Sequence, residues 1–251
     1  MAPLYINSRE NQLFKRIKKL KERKYREQEK LFIGEGEKFL MFDEKPEYVI
    51  INDEKIDKFG RYLEMFNTVV VPEYLYKELS SLETPEGIMG VFKIKRKEMP
   101  LEDLVIIDGV QDPGNIGTIL RVADAAGYSN ILILKGSVDP YNEKSVRGSM
   151  GSIFTVNIYF MDYSEALDFL KKNGYNIIVT TLSEDSVDYG EMKTDGLNGF
   201  VMGSEGNGVS EEFIEAASQK IKIPIYGSAE SLNVGVAAGI ILYKAREITK
   251  R

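Results

Sequence analysis

Three stretches of this sequence set reactive residue types beside turns that expose backbone. After an apolar run at 105–107 comes Asp108-Gly-Val-Gln-Asp-Pro-Gly-Asn115, then a helical pattern from Ile116. Asn115 is placed to cap that helix, because an asparagine side chain accepts from first-turn amides. Ile116, Leu120 and Ala123 form its core stripe, whereas Gly117, Thr118, Arg121 and Ala125 fall on another face. Arg121 thus rises from a bed of small residues, though on spacing alone it reads as an ordinary exposed arginine. The second stretch follows the run at 200–202 and reads Gly203-Ser-Glu-Gly-Asn-Gly208, with Ser210 to cap the next helix. A glycine-rich turn between strand and helix lets backbone amides approach a ligand. It is not a P-loop, lacking Gly-Lys-Ser/Thr, and its glycine order is not the dinucleotide fingerprint. Glu205 stands among these glycines, either a surface acid or one placed for chemistry. The third stretch is Ile223-Pro-Ile-Tyr-Gly, then Ser231-Leu-Asn233 and an apolar run to Tyr243. That run is short of the about 20 residues needed to span a bilayer. It predicts a buried helix capped by Ser231 or Asn233, with Gly235 and Gly239 one turn apart for close approach.

Two further regions suit phosphate. Residues 135–152 form a long polar loop in which Lys144 and Arg147, among serines, match sugar-phosphate contacts. Its glycines and serines also fit simple mobility. Between Arg9 and Lys30 ten Lys/Arg are opposed by four Glu, so that segment carries +6 and the remaining chain −12, within an overall −6. Lys15, Lys18, Lys19 and Arg23 are its candidate phosphate contacts. Such asymmetry marks either a phosphate-binding edge or a solvated helix face with internal Lys/Glu pairs.

Positioning these residues needs an alternating α/β chain. Helical patterns at 8–29, 38–42 and 72–79 alternate with strands at 31–33, 48–51, 69–71 and 88–94. The charged, proline-ended segment Lys95-Arg-Lys-Glu-Met-Pro100 reads as a linker. Beyond it, strands at 105–107, 131–134, 177–180 and 200–202 alternate with helices near 116–126, 164–173, 210–218 and 232–248. That order predicts a mostly parallel sheet covered on both faces, with ligands beyond the carboxyl ends of its strands. The chain has 251 residues, 43% of them hydrophobic, enough for one large or two small domains. It contains neither cysteine nor histidine. Disulfides and thiolate metal sites are excluded, and the commonest general base and metal ligand are missing, so no metal is expected. No signal peptide is evident, and a reducing cytoplasm is the expected compartment.

Asn115-Ile-Gly-Thr-Ile-Leu-Arg121, Met202-Gly-Ser-Glu-Gly-Asn-Gly208 and Ile223-Pro with Ser231-Leu-Asn-Val resemble, in order, the three signature motifs of the SpoU/TrmH family. These are RNA ribose methyltransferases of the SPOUT class. The resemblance implies a parallel-sheet SPOUT domain with a C-terminal trefoil knot over 101–251. A small α/β RNA substrate-binding domain over 1–98, including Glu83-Thr-Pro-Glu-Gly-Ile88, is implied before it. It further implies S-adenosylmethionine as methyl donor, a homodimer and a ribose 2′-hydroxyl as acceptor. By motif, Arg121 would be the catalytic arginine supported by Asn115. Glu205, Ser231 and Asn233 would line the reacting end, and Thr180, Gly203, Ile223 and Leu232 would hold the donor, largely through backbone. Glu143 departs from the family pattern, where proline commonly precedes the basic pair; the expected effect is on loop shape. The small faces of the helices bearing Arg121 and Gly235 are expected to meet their copies across a two-fold axis.

Arginine stays protonated in proteins, so Arg121 suits a bidentate clamp on an RNA phosphate better than a base. The proton then passes to water, phosphate or Glu205. Ribosomal RNA is expected over transfer RNA, since only Lys244–Arg251 forms a basic end after Tyr243. A transfer RNA methyltransferase, a non-catalytic RNA-binding protein and a nucleotide-binding α/β enzyme are the alternatives. The intact Arg121, Glu205 and Asn233 set opposes loss of catalysis, and the missing phosphate-loop lysine opposes the last.

Overall fold

The computed structural model describes residues 2–249; of the basic end, Lys250 and Arg251 lie outside the described residues. The chain forms two compact units. One runs to Lys95 and takes in Asp139–Arg147; the other is Arg96–Val138 with the chain from Gly148 onward. No helix among the described residues is long and apolar enough to cross a membrane.

The first unit contains β1 (Leu4–Tyr5), α1 (Gln12–Lys19), α2 (Arg23–Glu29), β2 (Leu31–Glu35), β3 (Tyr48–Asn52), α3 (Ile56–Phe59) and α4 (Tyr62–Met65). It continues with β4 (Thr68–Val71), α5 (Glu73–Leu79) and β5 (Ile88–Lys93). Its sheet has the order β1-β4-β3-β5-β2, with β5 antiparallel to both neighbours. Phe14, Ile17 and Leu20 pack on Ile33, Ile50, Val69 and Leu75 to make its core.

The helix expected over 8–29 is in fact two. Asn11 caps α1, its side-chain oxygen accepting from Leu13 N at 2.9 Å and Phe14 N at 3.2 Å. The chain then turns sharply at Leu20, which is buried. The turn is held from α2: Arg26 donates from Nη1 to the Leu20 carbonyl at 2.7 Å and from Nε to Asp139 Oδ2 at 2.8 Å. Arg26 and Asp139 are both buried. A buried arginine persists only with its charge paired and its donors engaged, and this one supplies an acceptor-rich helix end with the donor it lacks.

The second unit contains β6 (Leu104–Ile107), α6 (Pro113–Ala125), β7 (Asn130–Leu134), α7 (Glu143–Ser149), β8 (Asn157–Met161), α8 (Tyr163–Lys172) and β9 (Asn176–Thr180). It ends with β10 (Val187–Asp188), β11 (Asn198–Met202), α9 (Glu211–Ala216), β12 (Gln219–Lys222) and α10 (Val234–Thr249). Residues 143–147 of α7 belong to the first unit. All seven strands are parallel, in the order β10-β12-β9-β11-β6-β7-β8. Leu104, Val105, Ile106 and Ile107 are all fully buried, as a strand covered on both faces requires. The strand order reverses at β6 and β11, which opens a crevice at their carboxyl ends.

Several sequence expectations change here. The loop over 135–152 holds a helix, α7, started by Asn142, whose side chain accepts from Lys144 N at 2.9 Å. Glu143 lies in its first turn, and burial pushes its carboxyl above the ordinary value. Strand β12 escaped sequence reading because Ile221 is its only apolar residue, and β8 because it is an edge strand with Phe160 exposed. Asn115 does not cap α6. Asp112 does, accepting from Gly114 N at 2.6 Å and Asn115 N at 3.1 Å, with Pro113 at the first helical position. Proline there loses no hydrogen bond and presets the helical φ.

Of the small residues expected to meet a second copy, Gly117, Thr118 and Gly235 pack within the chain, whereas Ala125 stays exposed and Gly239 partly covered. A Cβ at Gly235 would lie 2.6 Å from Thr118 Cγ2, one at Gly148 3.2 Å from Gly117 Cα, and Val122 closes over Gly239 at 3.6 Å. These glycines let α6 approach α10 and α7 within one chain. Arg246 locks the far end, donating from Nε to the Ala126 carbonyl at 2.8 Å and lying 4.0 Å from the Tyr128 ring centroid.

Replacing Arg26 with Met strands a buried carboxylate at Asp139. Urea unfolding is expected to show a loss of about 3–5 kcal/mol, largely recovered in the Arg26→Met, Asp139→Leu double variant.

Candidate active site

The crevice is built from the loops that leave β6, β9, β11 and β12. Asn115 lies in the first turn of α6, its side chain freed by the Asp112 cap. Its carboxamide donates from Nδ2 to the Glu205 carboxylate and accepts, on Oδ1, from Asn233 Nδ2 at 2.8 Å. The Asn233 oxygen in turn caps α10, accepting from Gly235 N at 3.0 Å and Val236 N at 3.3 Å. A directional chain therefore runs from the amides of α10 through two carboxamides to a carboxylate. Each amide has only one orientation that satisfies both neighbours.

Glu205 sits on a turn that its surroundings force. Ser204 N donates to the Gly208 carbonyl at 2.8 Å and Gly208 N returns to Ser204 at 3.0 Å. A Cβ at Gly203 would fall 2.2 Å from the Gly208 carbonyl carbon, so only glycine fits beneath the turn. Ser210 opens α9 as expected, yet its hydroxyl makes no cap bond. Its amide instead donates to Asp108 Oδ2 at 2.7 Å, while Tyr163 donates its hydroxyl to Asp108 Oδ1 at 2.6 Å. Burial, and donation to that carboxylate, push the Tyr163 hydroxyl well above the ordinary tyrosine value. Asp108 is buried at the end of β6 and ties the glycine-rich loop to the sheet. Sequence reading passed over it, although an acid followed by Gly109 directly after a buried strand was a usable signal.

A pocket opens beyond β9 and β12. Thr180, Leu182, Ile223, Ile225, Ser231 and Leu232 are among its lining. Thr180 donates its hydroxyl to the Val201 carbonyl at 3.0 Å, joining β9 to β11 at the pocket floor. Gly203 is not among the lining residues; its place is under the Ser204–Gly208 turn. Of the expected site, Asn115, Glu205 and Asn233 are hydrogen-bonded together, and Ser231, Thr180, Ile223 and Leu232 share one pocket. Arg121 joins neither group. It is exposed on α6 and makes no hydrogen bond or ion pair among the described residues.

The expected phosphate contacts lie elsewhere. Arg147 donates to Ser81 Oγ at 2.6 Å within the first unit. Lys144 is in the same segment of α7. Lys15 pairs with Glu10, Lys18 with Glu78 and Arg23 with Glu27. Lys19 stands 5.1 Å from the Tyr25 ring centroid.

The model of the SpoU rRNA methylase family matches residues 103–243, and that of the MRM3-like substrate binding domain matches 11–90. The chain is 32% identical to the 23S rRNA (guanosine(2553)-2′-O)-methyltransferase RlmP of Bacillus subtilis, covering 96% of this chain and 98% of that one. A crystal structure of an AdoMet-bound rRNA methyltransferase from Sinorhizobium meliloti superposes with a TM-score of 0.85 at 28% identity, over 98% of each chain. The A. aeolicus TrmH/SpoU tRNA modifying enzyme gives a TM-score of 0.52 at 35% identity, over 62% of this chain and 78% of that one. The chain belongs to the SpoU rRNA methylase family, and is a methyltransferase acting on RNA.

Asn115→Asp keeps the shape of the central amide but replaces its donor by a second carboxylate facing Glu205. Methyl transfer is expected to fall about tenfold to a hundredfold, the equivalent of about 1–3 kcal/mol of lost positioning, with little change in far-UV circular dichroism. An activity within twofold of wild type would remove Asn115 from the site.

Proposed function

We propose that this protein transfers the methyl group of S-adenosylmethionine to a ribose 2′-hydroxyl of ribosomal RNA. The observation that carries the reading is the Glu205–Asn115–Asn233 chain beside the pocket of Thr180, Ile223, Ser231 and Leu232. The pocket suits the donor: aliphatic Ile223, Ile225 and Leu232 offer a wall for adenine, and the loop backbone offers polar contacts. The bound donor supplies an electrophilic methyl on a sulfonium. Holding acceptor and donor in line is worth about 7–11 kcal/mol of barrier. Glu205 accepts from Asn115 and retains acceptor capacity for the proton of an incoming hydroxyl. No histidine exists to compete for that role. Arg121, charged and without a partner among the described residues, serves as a fork for an RNA phosphate that also stabilises the developing alkoxide. The trefoil knot belongs to the same reading, since loops after β9 and β12 share the pocket.

Ribosomal RNA is favoured over transfer RNA because the likeness to the 23S rRNA enzyme spans nearly the whole of both chains, the front domain included. That front domain, residues 1–98, is read as the RNA substrate-binding part, and a chain without cysteine fits the cytoplasm. A homodimer is part of the proposal on new grounds. Val236 and Tyr243, two turns apart on α10, are 51% and 56% exposed, with Gly239 and Ile240 only partly covered between them. Ala125 is exposed on α6, and the Tyr243 hydroxyl donates to its carbonyl at 3.4 Å. This outward apolar stripe near Arg121 suits an isologous contact.

Incubation with S-[methyl-³H]adenosylmethionine and unmodified 23S rRNA is expected to label RNA at ribose, read after nuclease digestion. Arg121→Ala should abolish labelling while donor affinity, by calorimetry, stays within about twofold. Arg121→Lys should be nearly as damaged, because lysine lacks the planar fork; substantial turnover in it sinks the clamp. Wild type should sediment as a dimer, and Val236→Asp with Tyr243→Asp should yield an inactive monomer. An active wild-type monomer at assay concentration overturns the dimer.

A further inference from the structure

The turn at Leu20 that splits the first helix also builds a pocket. It brings α2 against α1, and Gln12, Lys15, Arg16, Lys19, Tyr25, Gln28 and Glu29 enclose a cavity of about 180 Å³ within the first unit. We infer that this pocket receives one unpaired nucleotide of the RNA, with its base on Tyr25 and its phosphate on Lys15 and Lys19. The inference rests on the RNA-methyltransferase reading and adds a binding subsite to it.

The chemistry of the lining selects that ligand. The one acid, Glu29, is already neutralised by Arg16 at 2.8 Å, which itself stays within 3.5 Å of Glu47. Arg16 is thus spent on the wall of the pocket. Among the described residues Lys15 is paired only with Glu10, an 82% exposed carboxylate, and such a surface pair exchanges readily for a phosphate. Lys19 has no anionic partner among the described residues. Its ammonium lies 5.1 Å from the Tyr25 ring centroid, and Lys24 approaches the same ring at 5.9 Å. Tyr25 is therefore a partly covered aromatic face in a positive field. Gln12 and Gln28 each add a donor and an acceptor of the kind that pairs with a base edge.

An anion, a flat ring and polar ring edges together describe a nucleotide. The base must be unstacked to enter, which a continuous RNA duplex forbids and a loop or bulge permits. The pocket is accordingly a reader of single-stranded structure. Lys18 stays outside it, committed to Glu78 at 2.6 Å.

The test uses the full-length protein and two fluorescein-labelled probes: an RNA hairpin with an unpaired loop, and a blunt duplex of the same stem sequence. Tyr25→Leu should weaken hairpin binding about fivefold to a hundredfold, the range for one stacked base, and leave duplex binding unchanged. Tyr25→Phe should retain the hairpin affinity. Lys19→Ala and Lys15→Ala should each reduce the log–log salt slope for the hairpin by about 0.7. In methyl transfer to 23S rRNA, Tyr25→Leu should raise KM for RNA without changing donor affinity. Equal weakening on both probes, or unchanged hairpin affinity in a folded Tyr25→Leu protein, overturns the subsite. A wild-type protein that binds the hairpin but transfers no methyl overturns the functional reading and leaves the subsite standing.

Discussion

The Asn115 carboxamide is the constraint on which the site depends. It has one donor and one acceptor pointing at fixed, different neighbours, Glu205 and Asn233. Neither neighbour is close in sequence, so the bond pair exists only if α6, the loop after β11 and the start of α10 arrive together. The parallel order β12-β9-β11-β6 brings their loops to one edge. Gly235 then admits Thr118 between the two helices. Asp108 performs the same service from below, joining the amide of Ser210 to the hydroxyl of Tyr163. The glycine-rich turn is thus tethered at both ends.

The two units solve the problem of a charged partner differently. In the catalytic unit Arg121 makes no ion pair among the described residues, while Asn115, Asn233 and Asp108 are engaged in positioning. The front unit spends most of its basic residues on internal pairs. Arg26 is buried against Asp139, Arg16 holds Glu29, and Lys18 holds Glu78. A dense run of lysine and arginine is therefore not uniformly available to phosphate. Surface pairs of this kind contribute little to stability but do fix where free positive charge remains.

Much of the architecture was legible because it rests on local rules. Apolar runs such as Leu104–Ile107 announce buried parallel strands, and the loops after 105–107 and 200–202 do follow strand ends. Ile116, Leu120 and Ala123 are buried as their spacing requires. Residue type narrowed the cap of α10 to Ser231 or Asn233, and the structure gives it to Asn233. Strand β12 was illegible because three of its four residues are polar, and it is a strand only through pairing with β9 and β10.

The sequence by itself determined the alternating α/β order, the family motifs and the residue types of the site, since these depend on periodicity and on side-chain chemistry. Only the tertiary structure decided how those residues are used. Asn115 was freed from capping because Asp112 and Pro113 start α6, and it then found partners 90 and 118 residues away. The helix at 8–29 was broken because Arg26 reaches a carbonyl of the preceding turn and a carboxylate 113 residues on. Gly117 and Gly235, which spacing allowed for a partner chain, were taken up by Gly148 and Thr118 of the same chain. Such long-range contacts carry no signature in local sequence, because hydrogen-bond partners and packing faces are chosen only when the sheet brings distant segments within a few ångströms.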